Sequence, residues 1–290
     1  MTLVLSVLEQ GMIYAIMALG IYITYTILDF QDLTVDGSFP LGAAISAVLI
    51  TKGVNPILTL LISFLAGVAA GTLTGLIHVK LKVRDLLSGI IMMTALWTVN
   101  LYIAGTANVP LFSRDSIFKN DFLIGIVPES MKSYVTLIIV LILAVVCKII
   151  LDLYMNTKSG YLLRAVGDNE TVVTALAKDQ GNVKILGLAI ANGLVSLAGC
   201  VFAQEERVFE ISMGTGAIVI GLASVIIGTS IFKKISYVKT TTAVIIGSII
   251  YKACVAVAIR NFEPQAMKLI TAILFLIILV ISMERKTKVK

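Results

Sequence analysis

A chain of 290 residues that is 58% hydrophobic, only 14% charged and +1.01 in mean hydropathy lies outside the range of soluble domains, which carry about 25% charged residues. Its formal net charge of +6 would suggest a nucleic-acid partner in a soluble protein. Here the Lys and Arg residues sit between apolar runs, so they read as a topology signal and no nucleic acid is expected. Runs of about 20 apolar residues, enough to cross a hydrocarbon core as a helix, recur throughout. The expected fold class is all-α: a polytopic transmembrane helical bundle forming one membrane domain over residues 1–290.

In chain order, clean spans are predicted at Gly11–Leu28, Pro56–Ile77, Leu86–Ala104, Tyr134–Leu151, Ile185–Ala203, Thr240–Ile259 and Ala266–Met283. The first lacks a basic leader and runs straight into a full span, so no cleavable signal peptide is expected. Two further segments are irregular. Leu33–Ile50 begins with Asp36-Gly37-Ser38-Phe39-Pro40 and keeps too few apolar residues after the proline to span alone. Met213–Phe232 is entered through Gly214 and Gly216 after the polar stretch Gln204-Glu205-Glu206-Arg207. Counting both predicts about nine membrane passages, two of them interrupted helices. Broken helices expose backbone groups that only a cavity can satisfy. Asp36, Ser38, Phe39, Met213 and Gly214 are therefore candidates for lining a translocation pathway.

Alternating nine passages places His78–Asp85, Asp152–Val183, Lys233–Lys239 and Glu284–Lys290 on one side, which holds most of the Lys and Arg residues. That side is expected to be cytoplasmic, with the N-terminus outside and the C-terminus inside. Neither sizeable loop, Gly105–Ser133 or Asp152–Val183, is large enough for a ligand-binding or nucleotide-binding domain.

Gly67, Gly71 and Gly75, at four-residue spacing, predict a close helix crossing, and Gly187, Ala191, Gly193, Ala198 and Gly199 make the span after the long basic-side loop similarly small-faced. Cys147, Cys200 and Cys254 lie in apolar runs with no ligand-spaced Cys or His, so they read as packed thiols; no metal site is expected. His78, the only histidine, reads as solvated in a basic loop. No catalytic constellation can be assembled and no G-x-x-x-x-G-K-[ST] phosphate loop is present. The acids lie at predicted span ends or in loops, except Asp29, Asp32 and Asp36. That pattern weighs against an ion-coupled secondary transporter, which needs mid-membrane carboxylates, although the Asp group keeps that alternative open. Lys252 is the one charge well inside a span. It either snorkels or pairs with a carboxylate, or it lines the pathway.

Between two spans on the basic side stands Gly160-Tyr161-Leu162-Leu163-Arg164-Ala165-Val166-Gly167-Asp168-Asn169-Glu170. Gly167 is expected at a turn, Asp168 or Asn169 as an N-cap and Gly181 as a stop. Val172, Val173, Leu176 and Ala177 would share one side of the short helix between them. Such a helix has three fates: lying on lipid, covering its own bundle, or docking on a cytoplasmic partner.

The stretch Gly160–Asn169, followed through Ala175 and Lys184 to Leu197-Ala198-Gly199, resembles the cytoplasmic coupling loop of the branched-chain amino acid/ribose class of ABC importer permeases. Asp32–Ala44 is similar to the interrupted second helix of a subgroup handling amino acids such as tryptophan or tyrosine, and Gly221–Gly228 is a third match. Together the matches spread over roughly positions 10–230. The resemblance implies a non-enzymatic permease domain that pairs with a second copy, giving a homodimer, or with a close relative. It also implies cytoplasmic ATPase partners that bind the ATP and Mg absent from this chain, and an extracytoplasmic substrate-binding protein. Location in the cell membrane and solute import by alternating access follow from it. Gly160, Arg164, Ala165, Val166, Gly167, Asp168 and Asn169 would then form the ATPase-coupling contact within a loop spanning 152–183.

Overall fold

The computed structural model describes residues 2–120, 134–168, 180–233, 235, 237–261 and 267–287. Helix α1 covers Thr2–Ile21 and passes into a wider π-helical turn at Tyr22–Ile27. It is followed by α2 (Val35–Thr51), α3 (Pro56–Lys80), α4 (Asp85–Ala104) and strand β1 (Asn108–Pro110). After residues 121–133 come α5 (Val135–Met155) and α6 (Lys158–Asp168); then follow α7 (Gln180–Glu206) and strand β2 (Val208–Glu210). A short 3₁₀ turn at Ile211–Gly214 leads into α8 (Ala217–Phe232), α9 (Thr240–Asn261) and α10 (Met267–Thr287). Among the described residues, seven helical stretches are long and apolar enough to cross a membrane. The shorter apolar helices are α2 and, within α10, Leu269–Val280. The chain is an all-α, multi-pass membrane protein, with one small two-stranded ribbon among the described residues.

Local chemistry sets several ends. Asn55 caps α3 by accepting from the Ile57 N–H at 2.9 Å, with Pro56 in the first helical position where its missing N–H is harmless. Gly105 closes α4 at φ +73, a left-handed position that glycine adopts without strain. Pro40 does not interrupt α2, contrary to expectation. It removes a single helical donor, the one facing the Asp36 carbonyl, and the helix runs on to Thr51. The break lies before α2, where the chain turns at Asp29 with φ +49.

Contacts sort the helix ends into two faces. On one, the His78 ring meets Phe30 edge-on, and Asp152 bonds both Lys239 and Thr241. On the other, β1 pairs antiparallel with β2 (Asn108 opposite Glu210), Gln10 donates to Glu206, and Gln204 donates to the Pro56 carbonyl. The basic-side segments at His78, Asp152 and Lys239 thus share one face, as the alternation of spans expects.

The α3–α7 seam forms the frame of the bundle. Cβ atoms built on Gly67, Gly71 and Gly75 would lie 2.3, 2.1 and 2.8 Å from backbone atoms of Asn192, Leu188 and Ile185. Only glycine permits that approach, and the close backbones gain dispersion contact where no hydrophobic drive operates. The main core gathers α1, α2, α7 and α8 around Ile16, Met17, Phe39 and Val195.

Several expectations need correction. Gly181 is not a stop; it is the second residue of α7. His78 is not merely solvated: it sits in the last turn of α3, with Nδ1 2.8 Å from the Val83 carbonyl oxygen. Cys147 and Cys200 are buried, but Cys254 is exposed on the outer surface of α9. Glu9 lies within α1, because that helix starts earlier than the predicted span.

Candidate functional site

The two irregular segments meet in the interior. Helix α8 opens with N–H groups that have no partner in a preceding turn, and Asp36, in the first turn of α2, supplies the missing acceptors. Its carboxylate accepts from Gly216 N–H at 3.0 Å and from Ile218 N–H at 2.8 Å. A carboxylate there also complements the positive end of the α8 dipole. Gly214 packs on the same spot, where a built Cβ would lie 2.2 Å from the Asp36 carbonyl oxygen and 2.5 Å from the Pro40 ring. Met213, partly buried, bridges the main core and the cluster beneath the ribbon.

Beside this junction runs a buried polar chain. Asn192, in the middle of α7, donates to Asp32 Oδ2 at 2.7 Å and accepts from the Ser38 hydroxyl at 2.7 Å. Asp32 Oδ1 accepts from the Thr34 N–H at 2.9 Å, and the Thr34 hydroxyl bonds that of Thr74 at 2.9 Å. Asp32 is 2% exposed, so these donors take the place of water around its carboxyl group. Asn100 of α4 donates to the Gly37 carbonyl at 3.0 Å.

Phe39 is fully buried and stacks on Tyr14 with ring centroids 5.9 Å apart, and Phe202 meets Tyr14 edge-on at 5.5 Å. Lys252 lies over one side of the same group, its Nζ 3.7 Å from the Tyr14 centroid and 3.5 Å from Gln10 Oε1, the side-chain amide oxygen. Among the described residues no carboxylate lies within ion-pair distance of it. The contact that Lys252 makes in the structure is a cation–π one on the Tyr14 ring, with the charges of Glu206 and Glu205 acting on it from beyond ion-pair distance. Asp36, Ser38, Phe39, Met213 and Gly214 come together directly, and Lys252 joins them through Tyr14.

Sequence reasoning missed Asn192, Asn100 and Tyr14. The signal for the two amides was present, since a lone Asn in an apolar span needs an interhelical partner. Tyr14 had none, because an aromatic ring in a span is ordinary.

The basic-face stretch forms a helix earlier than expected. Gly160 through Asp168 all lie in α6, while Asn169 and the apolar set Val172–Ala177 fall outside the described residues. Gly167 is helical rather than at a turn. Its role is close approach, for a built Cβ would lie 1.6 Å from the Ile27 carbonyl oxygen. Leu163 and Val166 face inward, while Arg164 stays exposed. Leu163 and Leu28 both press on Gly187 of α7.

Helices of this length and apolarity, packed around a buried polar interior, define a multi-pass integral membrane protein. The chain belongs to the family described as branched-chain amino acid transport system / permease component, whose model matches residues 3–282. It is a permease component of a transport system. It is 42% identical over 274 residues to the tyrosine transport system permease protein of Clostridioides difficile (strain R20291), covering 94% of this chain and 89% of that one. An uncharacterized protein of Rickettsia prowazekii (strain Madrid E) is 30% identical, with 96% of each chain covered. The ribose import permease protein of Escherichia coli (strain K12) is 27% identical over 77% of this chain and 68% of its own. No solved structure matches. The family resemblance stated from the sequence is the one the family match identifies.

Proposed function

We propose that this chain is the single membrane-domain subunit of an ATP-binding cassette importer. It carries a small polar solute, an amino acid and within that class an aromatic one, into the cell by alternating access. The observation that carries this reading is the seat of α6. Its Gly167 rests on the Ile27 carbonyl at the end of the π-helical turn that follows α1, a few residues before the break that holds Asp32 and leads to Asp36. A push on α6 from the basic face would reach the junction of the two broken segments through packed backbone. ATP and Mg bind on partner ATPases, which contact Gly160–Asn169; a binding protein delivers solute from outside; and a second copy of the chain completes the pore. The basic face is cytoplasmic and the membrane is the cell membrane, with the N-terminus outside. The name of the Clostridioides difficile relative supports the amino-acid assignment. ATP stabilises whichever state closes its own site, and the solute takes the other side of the cycle.

Uptake into proteoliposomes holding the complex should require ATP and survive collapse of ion gradients. A single cysteine replacing Arg164 should resist an impermeant thiol reagent on intact cells, and one replacing Asn108 should react. A second reading, ion-coupled secondary transport, draws on the buried Asp32 carboxylate. Uptake by the chain alone on a proton or sodium gradient would establish that reading and displace the first.

A further inference from the structure

On the basic face, between the end of α5, the middle of α6 and the first turn of α9, lies a cavity of about 210 Å³. Arg164 and Lys239 border it, and Tyr22, Asn156 and Thr241 add hydroxyl and amide groups. Asp152 is the one carboxylate among its described lining residues, and that charge is already answered. Lys148 lies 2.9 Å from Oδ2, and the Thr241 hydroxyl donates to Oδ1 at 2.7 Å. Lys239 reaches the same Oδ2 at 3.3 Å while its side chain stays 65% exposed. Two lysines thus answer the one carboxylate, Arg164 adds a further positive charge to the lining, and α9, beginning at Thr240, turns the positive end of a 22-residue helix toward the cavity. A forked guanidinium, a mobile ammonium and neutral donors at a positive site match a phosphate group.

The surroundings point to lipid as the source of that phosphate. The cavity opens where α5 ends and α9 begins, at the edge of the apolar zone. One position along α5 from Lys148 and Asp152 stand Ile149 and Leu153, 49% and 63% exposed. Tyr237, fully exposed in the loop before α9, is a residue type that favours the headgroup level. We propose that this cavity binds the phosphate of an anionic phospholipid, with the headgroup between Arg164 and Lys239 and the acyl chains along the Ile149–Leu153 face. Basic recesses between membrane helices recognise anionic headgroups by this chemistry. An occupied site would link α6 to the ends of α5 and α9.

The test uses the purified full-length chain, delipidated in mild detergent and titrated with phosphatidylglycerol or phosphatidylcholine, with bound lipid counted by native mass spectrometry. Phosphatidylglycerol should bind the parent chain, and Lys239→Gln and Arg164→Gln should each weaken it about fivefold. Phosphatidylcholine should bind no better to the parent than to the variants. Lys80→Gln removes a basic charge from the same face away from the cavity and should leave binding unchanged. Thermal unfolding of each variant separates lost binding from lost fold. Inorganic phosphate at matched ionic strength should compete no better than chloride; displacement of the lipid by phosphate would overturn the lipid assignment. Equal phosphatidylglycerol binding by all variants would overturn the site itself.

Discussion

The α3–α7 seam and the α2–α8 junction hold the same bundle by opposite means. Along the seam two uninterrupted helices satisfy their own backbones and meet through Gly67, Gly71 and Gly75, with Ser196 donating to the Ser63 carbonyl at 2.7 Å. Its strength is spread over many small contacts, none of which can be released alone. At the junction two helices begin within reach of each other, and the Asp36 carboxylate satisfies the open end of α8. A few directional bonds do there what a long packed surface does at the seam. The seam is suited to be a rigid frame, and the junction is the place where the bundle can be remade with few bonds broken.

That contrast can be broken in graded ways. Gly71→Leu should have the largest effect, because a side chain would meet the Leu188 backbone, which cannot move without shifting all of α7. Overpacking of this kind should cost about 3 kcal/mol or more, read as loss of folded protein from the membrane fraction. Asn192→Leu should come next. It strips a donor from buried Asp32 and an acceptor from Ser38, at a cost of about 2 kcal/mol. Adding Asp32→Asn should return part of that loss by removing the stranded charge, a coupling that a double-mutant cycle measures.

Asp36→Ala should be milder for stability, about 1–2 kcal/mol, the usual worth of a helix cap. Transport should nonetheless fall sharply while thermal unfolding moves little. Destabilisation equal to that of Gly71→Leu would show the junction to be part of the frame. Lys252→Met should be the smallest, below about 1 kcal/mol by thermal unfolding, since a methionine stem can keep its packing on Tyr14 while losing the cation–π contact. A larger drop would mean that the lysine holds α1 and α9 together.

Much of this architecture is local and was readable in the sequence. Apolar run length places the spans, because lipid demands self-satisfied helices of a set length. The glycine stripe on α3 announced a close crossing, and Gly214 and Gly216 marked the second break. Only the tertiary structure decided what those features meet. Asp36 and Gly216 are 180 positions apart, and no periodicity records that one helix start will be capped by the other. The same holds for Asp32 with Asn192, 160 positions apart, and for Gly167 against Ile27. Pro40 looked like a break, since a proline removes a donor and crowds the carbonyl four residues back, but the surrounding packing decides whether the helix continues, and here α2 runs on to Thr51. Hydropathy and small-residue spacing are properties of one segment read alone. The partner of a buried polar group is chosen by how the segments are arranged in space, so the spans belong to the sequence and the junction to the fold.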